Sequence, residues 1–261
     1  MRLVDTHCHL DLDAFDEDRE QVLARARASG VERFVVVGFE PERWGPALRL
    51  AQAEPEMAVA VGLHPTEAAR YNEEVEAGIR QAAQSPSVCA IGEIGLDYHW
   101  MTAPAEVQRR AFLRQIALAR EMELPFIVHQ RDAAEDTLDA LEEAGPPHRG
   151  VMHCFTGDLA YAERCLAMGM YLGIGGAVTF RKATDLHEVV RSAPLERLVL
   201  ETDAPYMTPS PYRGQRNEPS YLRFIVERVA ELRGTSVEEV AEATTANAAR
   251  LFNLDIDGRA A

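Results

Sequence analysis

The sequence predicts an α/β chain whose strands close into a single (β/α)8 TIM barrel, with extra helices at its C-terminal end. Three observations predict it. Short apolar runs alternate with longer amphipathic ones along the chain. The strand-like runs number eight, the count that closes such a barrel. The length of 261 residues matches barrels of about 250 residues that form one domain. No composition break or internal repeat divides residues 1–261, so one domain is expected. A doubly wound open sheet with the same strand count is the competing architecture.

The expected strands are 2–10, 31–39, 56–64, 88–96, 124–130, 150–155, 169–176 and 197–205. Each is of strand length, and is rich in Val and Ile or ends in Gly or Pro. Between them lie charged helical patterns at 16–29, 43–53, 67–84, 105–122, 133–144, 158–167 and 181–192. The pattern at 105–122 is the clearest, with Phe112, Ile116 and Ala119 on one side and arginines elsewhere. After the eighth strand a loop rich in Pro and Gly leads to helical stretches near 219–233, 236–243 and 245–252.

A hydrophobic fraction of 47% and a charged fraction of 26% supply a core without disulfide staples. Cys8, Cys89, Cys154 and Cys165 show no CxxC spacing, so reduced thiols in a cytoplasmic protein are expected. No leader pattern precedes the first strand, and no run approaches the roughly 20 apolar residues of a membrane span. The net charge of −15 excludes a protein that coats DNA by a broad basic surface. It leaves open an enzyme that grips a few phosphates through metal ions and local arginines. Nothing in the sequence fixes an assembly beyond a monomer or weak oligomer.

Chemistry in a (β/α)8 barrel sits at the C-terminal ends of the strands. Strand one ends with His7 and His9, strand three with His64, strand four with Glu93, strand five with His129 and strand six with His153. Strand eight ends with Glu201 and Asp203. Five of the eight histidines thus fall at strand ends. Alternation along a strand sends His7 and His9 into the barrel together, with Asp5 one step deeper and Cys8 facing the helices. Glu201 and Asp203 are expected to share a face for the same reason. Glu93 lies between glycines in an apolar strand, where a carboxylate is costly to bury unless paired or metal-bound. His99, His148 and His187 are expected at the surface, and Cys8 and Cys154 in core packing. Four imidazoles and two or three carboxylates exceed what one ion needs. Mixed N/O ligation suits Zn²⁺ or Mn²⁺, with Mg²⁺ less natural around histidines. Two divalent ions sharing a carboxylate is the simplest arrangement.

The segments DTHCHLD (5–11), VGLHP (61–65), IGEIGLDY (91–98), IVHQRDA (127–133), MHCFTG (152–157), GIGG (173–176), LETDAP (200–205), RNEPSYL (216–222) and NAARLFNL (247–254) occur in this order. Together they resemble the TatD family of metal-dependent deoxyribonucleases, whose fold is an amidohydrolase-like barrel. The resemblance implies that His7, His9 and Asp203 hold one ion, that His129 and His153 hold the other, and that Glu93 bridges them. It also places His64 and Glu201 in the site. Related phosphotriesterase barrels join their ions through a carboxylated lysine of the fourth strand. The only lysine here, Lys182, follows strand seven, which leaves that work to Glu93.

The expected activity is therefore metal-dependent hydrolysis of DNA phosphodiesters, as a 3′–5′ exonuclease on single strands or frayed ends serving DNA repair or degradation. Asp203 doubles as ligand and proton acceptor, His64 and His153 contact the phosphate, and Glu201 binds a third ion or orients water. Arg131, Arg181, Lys182, Arg213 and Arg216 are expected on flanking phosphates, with Tyr98, Phe155, Tyr206 and Tyr212 stacking on bases. The alternatives are hydrolysis of another ester or amide, such as an aminoacyl ester, and a scaffold that binds metal without turnover.

Overall fold

A computed structural model describes residues 1–256. Eight parallel strands stand in sequence order: β1 (Leu3–Cys8), β2 (Val31–Gly38), β3 (Met57–Val61), β4 (Val88–Asp97), β5 (Phe126–Arg131), β6 (Gly150–Met152), β7 (Tyr171–Ile174) and β8 (Leu198–Leu200). The segment after β8 closes the ring onto β1: His9 N–H donates to the Ala204 carbonyl, and Asp203 N–H to the His7 carbonyl. The barrel predicted from the alternation is the one observed, and the open sheet is excluded.

Seven helices connect the strands: α1 (Arg19–Ala28), α2 (Pro41–Ala53), α3 (Glu73–Ala82), α4 (Ala105–Glu121), α5 (Ala134–Ala144), α6 (Leu159–Ala167) and α7 (Thr184–Ser192). Two more, α8 (Leu222–Arg233) and α9 (Val237–Phe252), follow β8. The pattern expected as one helix over 67–84 is broken in two. Pro65–Arg70 is a 3-10 turn, and α3 starts afresh at Asn72, whose side chain accepts from the Val75 N–H. The reverse happens at 236–252, expected as two stretches and found as the continuous α9. There the Thr244 hydroxyl donates to the Val240 carbonyl one turn back, so this β-branched residue stays inside the helix.

Two apolar layers hold the fold. The larger lies between sheet and helices and joins Phe34, Val36 and Leu172 to Trp44, Phe112, Ile116 and Leu138. Cys8 belongs to this outer layer, as alternation predicts. The smaller fills the barrel's lower interior with Val35, Val37, Ala60, Ile127, Val151 and Val199, and Leu251 and Phe252 of α9 pack against it. Burying an aromatic or aliphatic side chain of this size stabilises by about 1.5–3 kcal/mol. The NAARLFNL tail therefore acts as a plug under the barrel, leaving only the upper end for polar groups.

His148 and His187 correct the expectation of surface histidines. Both are buried, with Nε2 2.9 Å from the Leu141 carbonyl and 2.8 Å from the Val178 carbonyl respectively. His187 shares its helix face with Ala183 and Val190, and one hydrogen bond satisfies the ring there. His99 is exposed, as expected.

Candidate metal centre

All the chemistry-bearing residues expected at strand ends meet at the upper end of the barrel. His7 lies on β1 with His9 one residue beyond it, and His64 follows β3. Glu93 is inside β4, His129 is on β5, His153 directly follows β6, and Glu201 and Asp203 follow β8. Two glycines make room for the site, one for a carboxylate and one for the backbone of β5. A Cβ on Gly173 would stand 2.5 Å from Glu201 Oε2, and one on Gly95, at φ +144°, would stand 2.0 Å from the His129 carbonyl oxygen.

Glu93 is the centre of the arrangement. Its Oε2 is 3.5 Å from His7 Nε2, and its Oε1 is 2.8 Å from His129 Nδ1, 3.6 Å from His153 Nε2 and 3.8 Å from His64 Nε2. Asp203 Oδ1 faces His9 at 3.4 Å, His7 at 3.8 Å and His153 at 3.9 Å. Among the described residues, four donor groups lie close enough to hold an ion: His7 with His9 and Glu93; His7 with His153 and Asp203; His64 with Glu93 and His129; and His153 with Cys154 and Glu201. Glu93 belongs to two of them. His129 falls with His64, and His153 with His7 and Asp203, whereas the resemblance pairs His129 with His153.

The outer nitrogens are fixed from behind. His9 Nδ1 is 3.1 Å from the Val37 carbonyl, which turns Nε2 inward. His153 Nδ1 is 2.8 Å from Glu201 Oε1, and the same oxygen accepts from the Cys154 N–H. Glu201 and Asp203 thus approach His153 from opposite ring nitrogens rather than side by side. Thr66 N–H donates to His64 Nδ1 at 3.2 Å, so a neutral His64 carries its proton on Nε2, toward Glu93.

Charge follows this packing. Burial and the neighbouring His129 push His64 down to about 3. Burial also lowers His153, but Glu201, Glu93 and Asp203 outweigh it and hold the ring at about 10. Glu93 and Asp203 would be raised by burial, yet the surrounding imidazoles hold both below the ordinary carboxylate range. Asp5, one step deeper, is pushed up to about 7 by burial, although Thr202 donates to it from its amide and hydroxyl.

The donor set fits divalent cations. His7 Nε2 and His9 Nε2 stand 3.3 Å apart in a buried space that also holds Glu93. Among the described residues, histidines alone form the ion pairs of Glu93 and Asp203, with no lysine or arginine among them. Converging lone pairs and carboxylates without a fixed cation are what a bound metal neutralises.

Sequence reasoning missed Asp97. It is buried on the same strand as Glu93, with Oδ2 2.9 Å from His129 Nε2, and it is held down to about 2 because His129 and the Trp100 amide outweigh burial. Four residues beyond Glu93, it has the parity that would have revealed it, but the expected strand stopped one residue short. Cys154 is also not simply core packing. β6 ends at Met152, so alternation no longer governs the next residues, and the Cys154 thiol joins the group around Glu201.

The residues expected on substrate scatter around the mouth. Tyr206 is 54% exposed with its ring 5.9 Å from that of His9. Arg131 is exposed beside Trp100, its guanidinium 5.7 Å from the ring centroid. Arg181 and Lys182 are exposed, and Arg213 lies over Phe180 at 4.2 Å. Arg216 is engaged by Asp18 and the Ala14 carbonyl and covers Phe15. Tyr98 donates its hydroxyl to Asp136, and Tyr212 stacks on Tyr221 at 4.6 Å. Phe155 is buried and stacked on Tyr161, which corrects the expectation that it meets a base. The neighbouring Asn217 donates to the Thr202 and Tyr206 carbonyls and so pins the loop that carries Asp203.

Known proteins share both the sequence and the shape. The family model described as TatD related DNase matches residues 4–253. An uncharacterized metal-dependent hydrolase, YabD of Bacillus subtilis, is 46% identical over 97% of this chain and 100% of its own. A 3′-5′ ssDNA/RNA exonuclease TatD of a Rahnella species is 39% identical over 94% of this chain and 96% of its own. The crystal structure of YJJV, a TatD homolog from Escherichia coli, superposes with a TM-score of 0.92 at 34% identity, covering 97% of this chain and 99% of that one. With its barrel closed, its imidazoles and carboxylates gathered at one end and the match running from β1 to the end of α9, the chain belongs to the TatD family of metal-dependent hydrolases.

Proposed function

We propose that the upper end of the barrel hydrolyses nucleic-acid phosphodiesters, removing nucleotides from the 3′ end of single strands or frayed ends. The observation that carries this reading is Glu93, within 3.8 Å of four imidazoles from four strands. A carboxylate so placed would suit bridging two ions. As the family resemblance implies, His7, His9 and Asp203 would hold them on one side and His129 and His153 on the other; the geometry adds His64 beside His129 and sets His153 beside His7 and Asp203. Two divalent ions bound by these residues would supply a nucleophile near neutral pH and would stabilise charge on the phosphoryl oxygens.

The chain's own groups do the rest. Asp203, partly exposed beside His9, takes the proton of the attacking water. His64 donates from Nε2 to a non-bridging oxygen. Glu201 holds His153 by its far nitrogen, which favours an orienting role over a third ion. Arg131, Arg181, Lys182 and Arg213 stand free enough to reach flanking phosphates, whereas Arg216 serves the loop. Relatives named as 3′-5′ ssDNA/RNA exonucleases at 39% identity support substrate and polarity. A role in DNA repair or degradation and a cytoplasmic site accord with this chemistry. Among the described residues no helix is long and apolar enough to cross a membrane.

Purified protein loaded with Mn²⁺, Mg²⁺ or Zn²⁺ is expected to shorten 5′-labelled single-stranded DNA in single-nucleotide steps, and to act slowly on blunt duplex. Turnover of an aminoacyl ester with no cleavage of any DNA or RNA would contradict the reading.

A further inference from the structure

The loop after β4 holds an aromatic side chain that nothing above employs. Trp100 is 62% exposed and the adjoining Met101 48%. With Met1 and Tyr206 these are the exposed large apolar side chains of the described residues, and three of the four border the barrel mouth. Such exposure is unusual for an indole, and here it sits on a firmly built base.

That base is the carboxylate touching the metal centre. Asp97 Oδ1 accepts from the His99 and Trp100 N–H groups at 3.0 and 2.9 Å, while its Oδ2 lies 2.9 Å from His129 Nε2. Buried Gln108 accepts from the Asp97 N–H and donates to the carbonyls of Asp97 and Ala103. Thr102 donates its hydroxyl to the Thr66 carbonyl across the rim. The backbone beneath Trp100 is therefore pinned to the same residue that positions His129. The ring itself meets His99 edge-on at 4.9 Å and Arg131 at 5.7 Å.

Position in the barrel supplies the second half of the argument. β4 and β8 stand opposite each other, separated by three strands either way round the closed ring. Trp100 follows β4 and Tyr206 follows β8, so the two exposed aromatics flank the metal centre from opposite rims. A planar heterocycle on each, joined by a backbone crossing the carboxylate-imidazole cluster, matches an unpaired strand. Every base has a face that stacks on an aromatic ring, and a paired base inside a duplex cannot offer it.

We propose that Trp100 is a base-stacking platform which, with Arg131 for the adjoining phosphate and Tyr206 across the mouth, confines the substrate to unpaired nucleic acid. The proposal rests on the nuclease reading above and names how that site reads its substrate. Asp97 is the positioning residue that couples platform to centre.

The chain contains two tryptophans, and the other, Trp44, is buried with its indole N–H bonded to the Gly62 carbonyl at 2.9 Å. Buried Trp44 supplies a constant background, so a ligand-dependent change in emission that is lost in Trp100→Phe reports on Trp100. Titrating metal-free protein in EDTA with single-stranded oligothymidylate is expected to quench this emission, and self-complementary duplex to quench it far less. Trp100→Ala should raise KM for the oligomer about 5- to 100-fold with a much smaller change in kcat. Trp100→Phe should restore most of the KM. Wild-type KM in Trp100→Ala, or cleavage of the oligomer with no quenching, would overturn the platform. If the wild type cleaves no nucleic acid the nuclease reading falls, and the quenching still decides whether Trp100 binds an unpaired strand.

Discussion

The two ends of the barrel interior are both buried, yet they are built from opposite materials. Below, Val35, Val37, Ile127, Val151 and Val199 meet Leu251 and Phe252 of α9. Above, two residues further along the chain in each case, half-buried His129 follows Ile127 on β5, and buried His153 and Glu201 follow Val151 and Val199 just past the ends of β6 and β8. Alternation places Ile127 and His129 together on the inner face of β5, whereas His153 and Glu201 are aimed inward by the backbone just past their strands. The lower set is maintained by close packing, and every atom removed there lowers stability. The upper set gathers groups that cost free energy to bury and lack a fixed cation, so stability is not what retains them. Burial alone therefore does not separate scaffold from function; burial of converging imidazoles and carboxylates does.

Substitutions can break this contrast. The largest effect is expected at the carboxylates proposed to hold the ions: Glu93→Ala or Asp203→Ala should bring metal-dependent hydrolysis below detection while circular dichroism and thermal unfolding stay near wild type. Next comes the plug. Phe252→Ala should cost about 3–5 kcal/mol of stability by urea denaturation, with activity per folded molecule retained. A fall in activity as large as the fall produced by Glu93→Ala would erase the distinction between the ends.

Smaller effects sharpen it. Glu201→Gln keeps the shape but removes the charge behind His153, and is expected to weaken metal affinity or activity about 10- to 100-fold by metal titration. The smallest concerns the rim, which belongs to neither end. Burial pushes the Glu218 carboxyl up, but Arg25 and the Ser220 hydroxyl outweigh it and hold it below the ordinary value of 4.5. A depressed carboxylate stabilises the fold above its unfolded pKa, and that contribution is lost as pH falls through the folded one. Arg25 is half exposed, so Arg25→Ala should cost about 1 kcal/mol or less near neutral pH. The difference from wild type should vanish in acid, as urea titrations at the two pH values would show.

Much of this was legible in the sequence because two periodicities suffice for it. Counting strand-like runs yields the barrel, and asking what each run ends in yields His7, His9, Glu93, His129, His153 and Asp203. Where alternation stops, legibility stops with it. Asp203 and Cys154 sit beyond their strands at positive φ, so their directions come from turns rather than pleats. Asp97 was hidden by a strand boundary drawn one residue early, and Trp100 by its loop. Arg216 looked like a phosphate ligand by charge and position, but its partner Asp18 is 198 residues away and invisible to local pattern. His187 looked solvated until its face was matched with Val190.

The most direct test of the central claim is digestion of 5′-labelled single-stranded DNA by wild type and Glu93→Ala, each assayed with EDTA and with Mn²⁺. The account predicts a ladder shortening from the 3′ end for wild type with Mn²⁺ alone, and intact oligomer in the other three lanes. A comparable ladder from Glu93→Ala, or from wild type in EDTA, would contradict it.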